Sequence, residues 1–280
     1  EYNGNVLFYR NNGDAISPDF ALPESNPFGL AEVGVHAGGY ASPSLVDIDG
    51  DGDLDIFIGS GGYYNNGEKF FFRNTGTATN PVFSAPVINP FGLNSSGYRS
   101  NPVFVDIDGD GDQDAFVGEA DGNTYFSRNT GTAQNPAFAA AISNPFGLSS
   151  VGIGKTASPT FADIDGDGDF DAMIGNEVGN TVFFRNTGNI HNPAFAAANV
   201  NPFGLIDVGN FASPTLVDID GDGDLDTFLG EREGNTIFFA NDGLLLKSSI
   251  SDDTLSGTGS LNDTVTYVSA TAAVTVSLLK

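Results

Sequence analysis

Asp47, Asp49, Asp51, Asp53 and Asp55 occupy every second position of the stretch DIDGDGDLD, with Gly50 and Gly52 between them. Two unit charges about 5 Å apart repel by roughly 3 kcal/mol even at an effective dielectric of 20, so five carboxylates in nine residues need a positive charge among them to stay ordered. A metal ion is the obvious candidate. Counting Asp47 as position 1, carboxylates fall at positions 1, 3, 5, 7 and 9, and alternation lets a tightly turning chain aim oxygens at one centre. Gly52 at position 6 permits the positive backbone angle such a turn needs. Position 7 commonly contributes its backbone carbonyl, so the Asp53 side chain is expected to point outward, although all five aspartates count as candidate ligands. Six to eight oxygens at about 2.3 to 2.6 Å suit calcium, whereas magnesium takes fewer protein ligands and more water.

The loop occurs four times. SPSLVDIDGDGDLDIFIG returns as NPVFVDIDGDGDQDAFVG, SPTFADIDGDGDFDAMIG and SPTLVDIDGDGDLDTFLG, adding Asp106, Asp108, Asp110, Asp112 and Asp114; Asp163, Asp165, Asp167, Asp169 and Asp171; and Asp218, Asp220, Asp222, Asp224 and Asp226. The first aspartates are spaced by 59, 57 and 55 residues. Four copies imply about four Ca2+ ions per chain. An EF-hand would require an acidic residue at position 12, but Ile58, Val117, Ile174 and Leu229 stand there, and the flanks are strand-like, so that reading fails.

Each repeat also carries NTG or a relative, then NPVF or NPAF, then NPFGL. Short β-branched and aromatic runs bounded by Pro and Gly flank the aspartates, a third such run (NTVFFRNTG) follows, and a proline-framed segment can serve only as an edge strand. Apolar residues on both faces, as in Ile56, Phe57 and Ile58, call for a sheet packed on both sides. Four short strands in about 55 residues describe one blade of a β-propeller, so the expected fold class is all-β. The chain opens inside a repeat at GNVLFYRNNG and its last unit stops after GNTIFFANDG. The count is then 17 strands: two, three times four, and three. This leaves open either a ring of five positions with one incomplete blade or an arc of a larger one, cut from a longer array.

The repeat, with its D-x-D-x-D-G-x-x-D loop between two strands, resembles the FG-GAP/VCBS-type repeats of integrin-like propellers and of large bacterial secreted and surface proteins. The resemblance covers residues 1–243. It implies a propeller with calcium between the first and second strands of a blade, held by positions 1, 3, 5 and 9 of each loop, and a structural role for the ion. Calcium at millimolar levels outside cells would stabilise it, which points to an extracellular or cell-surface bacterial protein. Residues 244–280 form a separate tail, in which DDTLSGTGSLNDTVTY loosely resembles the RTX (haemolysin-type) calcium-binding repeats. A plain linker followed by a strand-like AVTVSLL is the alternative.

Composition narrows the function classes. A net charge of -26, with ten Lys and Arg in all, supplies no basic face for nucleic acid. There is no cysteine, and no apolar run long enough to span a bilayer. Arg10, Arg73, Arg128 and Arg185 form a column at the end of the third strand, where the fifth copy has Ala240; a repeated salt bridge or backbone hydrogen bond between blades is expected, with a ring for acidic ligands as the alternative. Phe8, Phe71, Phe126, Phe183 and Phe238 form a second column, expected in the core. His36 and His191 read as surface loop residues, and NPFGL as a turn with a buried Phe. No constellation of nucleophile and base breaks the repeat, so a non-enzymatic scaffold for adhesion or interaction with a protein or glycan at the cell surface is expected. A carbohydrate-binding lectin, with Tyr63, Tyr64 and Tyr98 as candidate aromatics, is the alternative. A polysaccharide lyase or hydrolase using Glu119 and Glu231 is the third.

Overall fold

A computed structural model of the chain describes residues 4–14, 17–33, 40–61, 67–94, 97–152 and 156–241. The tail from 244 to 280, His36, Tyr63 and Tyr64 lie outside them. The described residues hold 17 strands, the number expected. Strands β1 (Leu7–Phe8) and β2 (Glu24–Ser25) pair as a half-blade. The first blade is β3 (Ala41–Val46), β4 (Asp55–Ser60), β5 (Lys69–Phe72) and β6 (Val87–Ile88). The second is β7 (Asn101–Val105), β8 (Asp114–Gly118), β9 (Thr124–Ser127) and β10 (Ile142–Ser143). The third is β11 (Ser158–Ala162), β12 (Asp171–Gly175), β13 (Thr181–Phe184) and β14 (Asn199–Val200). The fourth has three strands, β15 (Ser213–Val217), β16 (Asp226–Gly230) and β17 (Thr236–Phe239). All pairs are antiparallel and follow chain order, so each blade is a meander. The four sheets are arranged in a ring, as in a four-blade β-propeller.

Radial stacking explains why the strands are apolar on both faces. β4, β8 and β12 are buried along their whole length. One face of β4 carries Ile56 and Ile58, which pack with Val6, Phe28, Leu30 and Val33 of the half-blade. The other carries Phe57, whose ring centroid lies 4.3 Å from that of Phe104 in the second blade. Phe116 and Phe161 repeat the contact at 4.3 Å between the second and third blades. Burying one such side chain contributes about 1.5 to 3 kcal/mol, so interfaces between blades, rather than strand pairing alone, hold the ring.

The NPFGL segment does more than turn. Asn89 sits in the left-handed region, and its Oδ1 accepts a hydrogen bond from the Lys69 backbone N at the start of β5 (3.0 Å). Asn26, Asn144 and Asn201 clamp Val6, Thr124 and Thr181 in the same way. Phe91, also at positive φ, meets the Phe71 ring edge-on at 5.2 Å. Its carbonyl accepts the Phe138 N–H of the next blade at 2.8 Å, and Phe28 and Phe146 do the same for Phe83 and Phe195. A left-handed aromatic costs on the order of 1 to 3 kcal/mol, and here it is held by the ring contact and the hydrogen bond to the next blade. The Phe of this motif is less buried than expected: Phe28, Phe91 and Phe146 are half-buried, and Phe203 is exposed, because the fourth unit has no NPAF segment to cover it.

Where the first strands begin, near the ring axis, the repeat is broken. Tyr40, Arg99, Thr156 and Phe211 hold equivalent positions just before β3, β7, β11 and β15. The Arg99 guanidinium lies 5.2 Å from the Tyr40 ring centroid and 4.7 Å from that of Phe211, and its Nη1 donates to Thr156 Oγ1 at 3.3 Å. One side chain thus touches all of the other three blades. Tight packing of first strands joins β3 to β7, β7 to β11 and β11 to β15; no packing of that extent joins β15 to β3 among the described residues.

Candidate metal centre

Each aspartate loop connects the first two strands of a blade, and two glycines let it fold back on itself. Gly50 and Gly52 both have positive φ, at 66° and 91°, and the other three loops repeat this. The turn directs side chains inward. Asp47 Oδ1 accepts from the Asp51 N (3.1 Å) and Oδ2 from the Gly52 N (3.0 Å). Asp106 and Asp163 make the same pair of bonds. Positions 1, 3 and 5 then bring one carboxylate oxygen each to within 4.8 Å of one another in all four loops: Asp47, Asp49 and Asp51; Asp106, Asp108 and Asp110; Asp163, Asp165 and Asp167; Asp218, Asp220 and Asp222.

The position-9 aspartates, Asp55, Asp114, Asp171 and Asp226, are buried where the second strand begins. One oxygen of each accepts the backbone N–H of Asn74, Asn129, Asn186 or Asn241, at 2.6 to 2.8 Å. The Asn side chain in turn closes the NTG turn: Asn74 Oδ1 accepts from the Gly76 and Val82 N–H groups. This Asn column ties the loop to the third strand. Its signal in the sequence was the NTG repeated in phase with the aspartates.

Position 7 departs from expectation. Asp53 is half-buried, and Asp112, Asp169 and Asp224 are buried rather than directed outward.

Many of these oxygens lack a partner. Asp49 Oδ1, Asp55 Oδ2, Asp108 Oδ1, Asp112 Oδ1, Asp114 Oδ2 and Asp169 Oδ1 are buried and accept no hydrogen bond. Burial pushes the Asp55 carboxyl up to about 6, Asp114 to about 7 and Asp171 to about 6, with neighbouring aspartates adding to the rise and the Asn N–H bond opposing it. Desolvation likewise raises Asp49, Asp108, Asp112 and Asp169. Orphaned buried anions are costly, and a hard divalent cation taking oxygen ligands would satisfy them at once. The residues present therefore fit calcium.

The arginine column also lies here. Arg73 pairs with Asp49 and Arg128 with Asp108, while Arg185 Nε lies 2.5 Å from Asp165 Oδ2 and its Nη2 3.4 Å from Asp167 Oδ2. These salt bridges run within one blade, from the end of its third strand to its own aspartate loop, and not between blades as expected. The strand meander brings those two points together. Ala240 leaves the fourth loop without such a cation.

Neighbouring blades add a second difference. Gln134 lies over Gly50 of the first loop, and His191 over Gly109 of the second, where its Nδ1 is 2.9 Å from the Asp108 carbonyl oxygen. His191 is exposed, as expected, yet it rests on an aspartate loop of the preceding blade. Nothing comparable among the described residues approaches Gly166 or Gly221. Asp49 and Asp108 are accordingly buried, and Asp165 and Asp220 exposed.

Two stretches, residues 47–117 and 106–174, match the FG-GAP-like repeat family. Residues 47–174 carry FG-GAP-like repeats. Each match starts at the first aspartate of one loop and runs past the next, so these repeats coincide with the blade-to-blade unit seen in the ring. No curated protein matches the chain. In this propeller the glutamates considered for hydrolysis are placed unlike a paired acid and base. Glu119 is buried, with its charge acting on the buried Lys69, whose ammonium is pushed down to about 8 by desolvation and donates to the Asn94 carbonyl at 2.8 Å. Glu231 accepts the Glu233 and Asn235 backbone N–H groups at its own turn, two blades away. Tyr98 is exposed and is not repeated in the other blades. No helix among the described residues is long and apolar enough to cross a membrane.

Proposed function

We propose that this chain is a calcium-stabilised propeller that serves as an extracellular adhesion or interaction scaffold, without catalytic activity of its own. The observation that carries the metal assignment is the set of buried carboxylate oxygens without partners in the aspartate loops. Calcium would be held by the aspartates at positions 1, 3, 5 and 9, with position 7 contributing through its backbone and, where buried, helping to neutralise the ion. The cation supplies no reaction; it joins the first and second strands of a blade and, through Asn74 and its equivalents, the third. If each site binds with a dissociation constant one to two orders of magnitude below ambient calcium, it adds about 1.4 to 2.7 kcal/mol, or roughly 6 to 11 kcal/mol for four. Such a contribution suits millimolar extracellular calcium and vanishes at cytosolic levels. FG-GAP-like repeats are typical of extracellular proteins, which supports that placement.

Isothermal titration with calcium, alongside thermal unfolding with and without chelator, tests this. About four ions bound per chain and a large loss of melting temperature in chelator are expected. No binding together with no chelator effect would overturn the metal assignment. A glycan array is expected to give no signal, and a reproducible sugar hit would replace the scaffold reading with a lectin.

A further inference from the structure

We propose that, given the calcium reading above, the aspartate loops of the first three blades are linked in series by the NTG turns, so that calcium held in one loop strengthens its binding in the loop before it. The first link starts at position 9 of the third loop. Asp171 is 1% exposed; its Oδ1 accepts the Asn186 N–H at 2.7 Å, and its Oδ2 is buried without a hydrogen bond. One oxygen is left for an ion while the other holds the turn. Asn186 Oδ1 in turn accepts the Gly188 and Ala194 N–H groups at 3.0 and 2.8 Å, which closes the turn from 186 to 195. The tip of that turn carries Ile190 and His191 onto the second blade. His191 Nδ1 lies 2.9 Å from the Asp108 carbonyl oxygen of the second loop; a carbonyl only accepts, so Nδ1 carries the hydrogen. Gly109 beside it has φ of 66°, and a Cβ there would stand 2.9 Å from His191 Nδ1 and 3.0 Å from Ile190 Cγ1.

The second link repeats the first. Asp114, also 1% exposed, accepts the Asn129 N–H at 2.7 Å through Oδ1 and leaves Oδ2 buried and unpartnered. Asn129 Oδ1 accepts the Gly131 and Ala137 N–H groups at 3.0 and 2.9 Å. Gln134 holds in this turn the place of His191, and its Nε2 lies 3.0 Å from where a Cβ on Gly50 of the first loop would stand. Asp49 and Asp108, at position 3 beside these two contacts, are 7% and 6% exposed. The path therefore runs from the third loop to the second and from the second to the first. An empty loop holds five carboxylates that repel one another and gains by opening, whereas a filled loop is drawn together. Opening releases the Asn N–H from position 9, loosens the NTG turn and lifts its tip from the preceding loop. Coupling of this kind is reciprocal, so a filled second loop also seats the turn of the third blade.

The test is calcium binding to the intact chain by isothermal titration and NMR at one fixed pH. The amides of Gly52, Gly111 and Gly168, each held by the first aspartate of its loop at 3.0 Å, report the three loops separately. About four ions and a Hill coefficient above unity are expected. Asp163→Asn, which weakens the third site itself, is expected to lower the affinity read at Gly111 by about fivefold. In a His191→Ala background the same substitution should lower it no further than His191→Ala alone. His191→Gln should keep the coupling, because Gln134 makes the equivalent contact one blade earlier. Independent sites in the wild type, or an equal effect of Asp163→Asn with and without His191, would overturn the coupling and leave the calcium reading intact; no calcium binding at all would overturn both. Should Asp163→Asn prevent folding, Gln134→Ala decides, since Gln134 is exposed. It is expected to weaken calcium at Gly52 by about fivefold with little change at Gly168, and unchanged binding at Gly52 would sink the idea.

Discussion

The second and fourth blades share the loop sequence DIDGDGD and nearly the same strands, yet they live in different surroundings. The second blade is enclosed between neighbours: Phe116 is fully buried, its loop pairs with Arg128, and His191 of the following blade rests on that loop. Among the described residues the fourth has no blade after it, no fourth strand and nothing over Gly221, and Ala240 stands in place of the arginine. Even the inner hydrogen bonding differs, since Asp218 Oδ1 accepts from the Gly221 N, at position 4, where the other loops use position 5. Identical residues thus acquire different energies from what is packed on them. The third blade is intermediate, with an arginine on its loop but, among the described residues, no side chain lapping over it.

The largest expected contrast is in the core. Phe116→Ala should cost about 3 to 5 kcal/mol, because it opens a cavity between two blades, whereas Phe228→Ala should cost well under half as much at a half-open face. Denaturant unfolding of the two variants measures this, and equal losses would mean that the fourth blade is covered in solution. A smaller contrast separates the position-9 aspartates. In calcium, Asp114→Ala should lower stability by about 2 to 3 kcal/mol, more than Asp226→Ala, since it exposes a buried loop floor to an unmet demand. Hydrogen exchange during chelation should show residues 218–226 opening before 106–114.

Chelated protein should also respond to pH with a definite sign. Asp55, Asp114 and Asp171 have folded-state values raised to about 6, 7 and 6 against an ordinary carboxyl near 4, so the folded state holds their protons more tightly than the unfolded chain. Their contribution is present in full below about pH 4 and is lost as pH rises through 6 to 7. The melting temperature in chelator is therefore expected to fall between pH 5 and pH 8, an interval named from those shifts, and calcium should remove the fall. The expected change is a few degrees. A rise over the same interval would show that other groups dominate.

The smallest effect is the most specific. Ala240→Arg should give the fourth loop the guanidinium that the first three possess, raising apo stability by about 0.5 kcal/mol and weakening calcium binding there by competition. Arg128→Ala should move the second loop in the opposite direction on both counts. Calorimetry of the two variants checks both signs, and unchanged affinities would leave the arginines as bystanders.

Much of this was legible in the sequence for a simple reason: a repeat states each local rule several times. The aspartate spacing, the positive-φ glycines and the β-branched runs are short-range features, and they sufficed for 17 strands, blade boundaries and four clusters of ligating oxygens. The direction of the arginines was not, because only the meander brings the end of a third strand onto its own loop. The inward turn of Asp112, Asp169 and Asp224, and the clasp of Arg99 between Tyr40 and Phe211, likewise depend on atoms distant in the chain. Phe238 is the clearest case. Its column promised a core residue, and it is half exposed because burial belongs to the pair of blades that meet, and the fourth blade has no successor among the described residues. Sequence by itself determined what each blade is; which of its residues are covered, paired or left open was decided by the blades beside it, since desolvation and ion pairing are properties of neighbours in space.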